Sequence, residues 1–191
     1  MPISLGRQGS PNVPGPKSYQ DFYSAIGLAI SQWSRVEAAF RDVFIRLVAC
    51  GLTGGGIGKF QGEGYFLLGT VFDSTGNLPG RLSLIDHMVK RLVKDDQLKA
   101  EWKSIKKRSI DLLTDRNVLV HGEAWVRENS EIPQFVRYSV FSKDDKKMDF
   151  EDIARATPEF FDYADRITRF AINVNAHLAT RNVPEIPSSD P

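Results

Sequence analysis

The chain has 191 residues, 41% of them hydrophobic, with twelve phenylalanines and a formal net charge of +1. This composition supplies a core for one domain with tails and excludes a disordered chain, while the near-neutral charge carries no global signature of nucleic-acid binding. The single cysteine, Cys50, excludes an internal disulfide framework, and with no secretory-type N-terminus and no apolar run of about 18 residues the expectation is a soluble cytoplasmic protein with no membrane association.

Residues 1–17 carry Gly6, Gly9, Pro11, Pro14, Gly15 and Pro16 without periodicity and read as a disordered tail. Ser18 is a candidate cap for the first helix. In that helix Phe22, Ile26, Ala29, Trp33, Val36, Phe40, Val43 and Leu47 alternate by four and three, the spacing of one inward seam. Glu37 interrupts its flank and has either Arg41, one turn on, or Arg116 as a partner. Gly51 suits a left-handed helix end, and the seven glycines between Gly51 and Gly64 predict a flexible loop. That loop is not a phosphate-binding P-loop, because Lys59 is followed by Phe60 rather than by Ser or Thr.

Tyr65 to Phe72 predicts one or two apolar helical turns, and Arg81 to Lys94 a second helix with Leu82, Ile85, Val89 and Leu92 inward. His87 lies off that seam and reads as a surface residue, and Cys50 as a packing residue. The third long helix runs from a cap at Asp96 to Val120. Its seam, Leu98, Trp102, Ile105, Ser109, Leu112, Arg116 and Leu119, places a guanidinium where apolar groups belong. Such a charge needs an anion or acceptors.

After His121 the period changes. Ala124 to Arg127 and Phe135 to Phe141 predict two strands of a small hairpin insertion spanning 123–142, with Lys143 to Asp149 as a charged turn. Thr157-Pro158-Glu159 reads as a helix start. Phe160, Ala164, Ile167, Ala171, Val174 and Leu178 form the last seam, His177 beside it, before a frayed tail over 182–191. The expected fold is all-α, an up-and-down four-helix-type bundle over residues 18–181 with the hairpin appended after the third long helix. Three histidines and one cysteine lack metal-ligand spacing, there is no Gly-x-Ser-x-Gly elbow, and no cofactor is expected.

Charge is segregated along the chain. Eight basic residues lie between Lys90 and Arg108, and eight acidic ones between Asp144 and Asp165. These are either solvated helix faces or, on the third helix, a basic track including Lys103, Lys106 and Lys107 on which a phosphate backbone lies.

The segment Asp115-Arg116-Asn117-Val118-Leu119-Val120-His121-Gly122 draws these observations together. An arginine grips anions with a planar fork, and a histidine is the side chain suited to moving protons near neutral pH. The arginine, the polar residue after it and the histidine resemble the signature of the HEPN superfamily, with four residues between arginine and histidine. Gly122 and Trp125 also resemble some of its subfamilies, and the likeness covers roughly residues 19–180.

That resemblance implies a homodimeric, metal-independent endoribonuclease in which the ribose 2′-hydroxyl attacks the adjacent phosphorus. Arg116 would stabilise the phosphate, His121 would act as acid or base, and Asn117 would orient the histidine or bind substrate. It also implies toxin–antitoxin systems, antiviral defence or RNA processing as settings, with an antitoxin or other protein as a partner beside the RNA. The alternative is a noncatalytic HEPN-like RNA- or protein-binding dimer. In a plainly structural role, Arg116 would pair with Glu37 or Asp111. Five positions put Arg116 and His121 about 140° apart on an ideal helix, so their convergence calls for an irregular helix end or for two copies of the motif meeting across a symmetry axis.

Overall fold

A computed structural model of the protein describes residues 15–53, 62–138 and 146–180. Nearly all of both expected tails, residues 54–61 of the glycine-rich loop, and residues 139–145 at the end of the second expected strand and the start of the charged turn lie outside these residues. Among the described residues are five helices: α1 (Tyr19–Thr53), α2 (Glu63–Ser74), α3 (Leu78–Leu92), α4 (Asp96–His121) and α5 (Phe150–Thr180). A small antiparallel sheet of order β1-β2-β3 joins them, formed by β1 (Glu123–Val126), β2 (Pro133–Tyr138) and β3 (Lys146–Asp149). No described helix is long and apolar enough to cross a membrane.

The chain divides into two compact units, and the division falls within α1, α4 and α5. The first unit holds the described residues within Met1–Gln32 and Thr114–Phe160. Ser18 Oγ accepts the Asp21 N–H at 3.1 Å and so caps α1. Phe22 stacks on Phe150 at 6.4 Å between centroids, and Val118, Val136, Met148, Ile153 and Ala156 are buried. The expected hairpin is a three-stranded sheet, because Lys146–Asp149 pairs with β2 where a turn was expected. Met148, set opposite Val136, supplies that strand's one buried anchor.

The expected helix start at Thr157 is also corrected: α5 begins at Phe150 and Pro158 lies inside it. Asp149 Oδ1 accepts the Asp152 N–H at 2.9 Å and caps this earlier start. Pro158 withholds one N–H from the helical ladder. The inward seam nevertheless extends back through Ala156 and Ile153, both buried, and that burial outweighs one missing bond.

The second unit holds the described residues within Trp33–Leu113 and Phe161–Pro191. Its core is aromatic. Phe40 meets Trp102 edge-on at 6.3 Å and Tyr163 at 6.5 Å, Trp102 stacks on Phe170 at 5.7 Å, and Phe44 lies 5.3 Å from Phe72. Each such pair adds about 0.5–1.5 kcal/mol beyond the area it buries. Ser109, the one buried polar residue of the seam, hydrogen-bonds Tyr163 at 2.6 Å, and both hydroxyls reach the Ile105 carbonyl. Burial pushes the Tyr163 phenol up to about 12, with the Ser109 hydrogen bond opposing it.

Local boundaries in this unit differ from the sequence reading at four places. Gly51 does not end α1, which continues to Thr53; a Cβ there would stand 3.2 Å from Leu92 Cδ1, so glycine makes room for α3. The short apolar segment is the twelve-residue helix α2. Helix α3 starts earlier than Arg81, capped by Asn77, whose Oδ1 accepts the Gly80 N–H at 3.0 Å. Asp95 rather than Asp96 caps α4, accepting the Leu98 N–H at 2.9 Å.

Candidate functional site

The last turn of α4 places the motif in the first unit. Its apolar residues Val118 and Leu119 are buried and fix the helix end in that unit's core. Asn117 and Arg116 are half-buried, and His121 is exposed. Arg116 Nη1 donates to Asn117 Oδ1 at 3.2 Å and lies 3.5 Å from His121 Nε2, the outer edge of hydrogen-bond distance. The two residues expected to diverge within one chain are therefore side by side. The 140° angle describes where their Cα–Cβ bonds point, and the long arginine stem spans it. No irregular helix end is needed, since α4 runs unbroken to His121.

Arg116 Nε is buried with no hydrogen-bond partner among the described residues. Leaving a buried donor of a charged group unpaired costs about 1–3 kcal/mol or more, and such groups in native structures call for an explanation such as a catalytic role. The carbonyls ending α4 give its C-terminus partial negative character, which favours a guanidinium there.

Gly122 closes the helix. Its N–H reaches the Val118 carbonyl at 2.9 Å. A Cβ at this position would stand 2.4 Å from both the Val118 oxygen and Val136 Cγ1, and 3.1 Å from the Arg137 oxygen. Only glycine lets β2 come this close to the end of α4. Beside the motif, Lys146 forms an ion pair with Asp115. The two share a cleft of about 220 Å³ with Lys147, Asp152, Arg155 and Glu159. Lys146 and Lys147 were missed from sequence because their strand read as a turn.

The remaining expected site residues belong to the second unit. Lys103 and Lys107 are exposed on α4. Lys106 is engaged in an ion pair, its Nζ 3.0 Å from Asp86. Lys90 and the Trp102 indole bind the same carboxylate at 2.9 and 3.0 Å. Burial alone would raise the Asp86 pKa, but the hydrogen bonds from Lys90, Lys106 and Trp102 overcome it and hold it at about 2. Glu37 accepts the Trp33 indole N–H at 2.8 Å and stands 4.0 Å from Arg81. The expected Glu37–Arg41 pair gives way because Arg41 binds Asp73 on α2, and the contacts of Arg116 are Asn117 and His121 rather than Glu37.

Cys50 is buried, its thiol 3.6 Å from Asn175 Oδ1 and pushed up by that burial with Arg46 opposing. His87 is exposed; His177 is half-buried. Among the described residues no three His, Cys, Asp or Glu side chains group as metal ligands would. No family model matches the chain, and no curated protein or solved structure matches it either.

Proposed function

We propose that the protein is a metal-independent endoribonuclease of HEPN type. The observation that supports this reading most is the approach of Arg116 Nη1 to within 3.5 Å of His121 Nε2 at an exposed helix end. Groups so spaced can touch one phosphodiester together, the guanidinium on a non-bridging oxygen and the imidazole on an oxygen that gains or loses a proton. The ribose 2′-oxygen bonds to phosphorus and the bond to the 5′-oxygen breaks. The 2′ proton passes to a base and the departing 5′-oxygen takes a proton from an acid, leaving 2′,3′-cyclic phosphate and 5′-hydroxyl ends. Arg116 offsets the extra negative charge of the transition state, and Asn117 holds the same Nη1 that approaches His121. Lys103 and Lys107 supply further phosphate contacts.

With this reading go an up-and-down bundle of HEPN type, a homodimer that brings two His121 rings to the reaction, a cytoplasmic location, and a role as a toxin or defence nuclease restrained by a protein partner. The chemistry is tested with matched oligonucleotides. An all-ribose strand is expected to be cut to cyclic-phosphate ends, and its all-2′-deoxy counterpart, which lacks the nucleophile, to stay intact. Cleavage of both strands alike would refute 2′-hydroxyl attack.

A further inference from the structure

The small sheet has one face committed to packing. Val136 and Met148, 1% and 4% exposed, stand opposite each other on it. Side chains alternate across a strand, so the other face carries Trp125, Phe135, Arg137 and Lys147. The register sets Trp125 against Phe135 and Arg137 against Lys147. Trp125 is 44% exposed. The Arg137 guanidinium lies 5.9 Å from the Trp125 ring centre, and Lys147 Nζ 4.1 Å from that of Phe135. Two acids share the face: Asp149 is spent on capping α5, and Glu123 stands opposite Arg137.

We propose that this face is a stacking platform for the unpaired bases of an RNA strand, with Arg137 and Lys147 on its phosphates. Every base offers a π-face to an exposed ring, whereas a duplex keeps its bases stacked on one another, so the platform selects single-stranded or looped RNA. A cation lies over each ring and complements a polyanion, and an apolar protein surface would have to desolvate both cations to reach the rings. Strand β1 opens two residues after His121. Four residues at about 3.3 Å each bound the chain distance from His121 to Trp125 at ~13 Å, short enough for one strand to meet both. The inference rests on the ribonuclease reading and names unpaired RNA as its substrate.

Tryptophan emission reports the contact. Of the three tryptophans, Trp33 and Trp102 are each 2% exposed, so Trp125 is the indole a ligand reaches. Wild-type protein is titrated with a 2′-O-methyl single strand, which 2′-hydroxyl attack cannot cleave, and with the duplex of the same sequence. Saturable quenching by the single strand and weaker binding of the duplex are expected. By anisotropy of the labelled strand, Trp125→Ala should bind about 5- to 150-fold more weakly, the range for losing one stacked base, and Trp125→Phe should keep most of the affinity. Lys147→Ala should lower the salt dependence by about one phosphate contact. No saturable binding by wild type, a duplex bound equally well, or unchanged affinity in Trp125→Ala overturns the platform. Because the probe cannot be cut, these outcomes are independent of whether the ribonuclease reading holds.

Discussion

Asp86 shows how an expected binding residue is claimed by the fold. Its carboxylate gathers Lys90, Lys106 and Trp102 within about 3 Å, so Lys106 serves packing on α3 before it can serve a ligand. The pKa held at about 2 against an ordinary 3.8 makes this cluster pH-sensitive, and the sign follows from linkage. A depressed carboxylate stabilises the folded state above its unfolded pKa, and that stability is lost as pH falls through the folded value. The shift corresponds to about 2 kcal/mol, present above pH ~4 and gone near pH ~2. Denaturant titrations at pH 5 and pH 2 should show wild type losing about 2 kcal/mol more than Asp86→Asn over that interval. Equal losses would mean that Asp86 carries no such coupling.

At the scale of elements, the long seams were legible. The buried positions of α1, α4 and α5 follow the four-and-three alternation read from the residues, since a long amphipathic helix repeats its signal over many turns. Single-residue punctuation misled. Gly51 and Pro158 favour helix ends locally, yet each lies inside a helix, and around Pro158 the burial runs on from Phe160 back to Ala156 and Ile153. Strand β3 was illegible because Met148 is its one buried apolar residue, and only pairing with β2 makes it a strand. The same applies to the site. Arg116, Asn117 and His121 were visible as a spacing, but their contact depends on side-chain reach that helical angles omit. The aromatic and basic sheet face depends on a register between strands that no local pattern encodes.

Gly122 is the joint between α4 and the sheet. Gly122→Ala would force a Cβ to 2.4 Å from the Val118 oxygen and Val136 Cγ1, and the neighbouring atoms are backbone or buried. Overpacking of this kind costs about 1–3 kcal/mol, so a fall in stability of that size is expected by urea denaturation. A variant as stable as wild type would show that β2 can retreat from the helix end at no cost.

Across the whole molecule, α1, α4 and α5 each contribute to both compact units, and the motif, the charged cleft and the sheet belong to one of them. That unit gathers the Arg116–His121 pair and the Trp125–Arg137 and Phe135–Lys147 pairs. Anion recognition, proton transfer and base stacking thus have candidate groups within a single unit, whereas the basic residues Lys103, Lys106 and Lys107 lie in the other. The proposed function of Arg116 and His121 is chemistry on RNA. Its most direct measurement is cleavage of a labelled single-stranded RNA and a tRNA pool in EDTA by wild type, Arg116→Ala and His121→Ala, each first shown to be folded by circular dichroism. Cleavage by wild type is expected, with a loss of about 10²–10⁴-fold in His121→Ala and about 10²–10³-fold in Arg116→Ala. Equal cleavage by all three proteins, or no cleavage of either substrate by wild type, would contradict it.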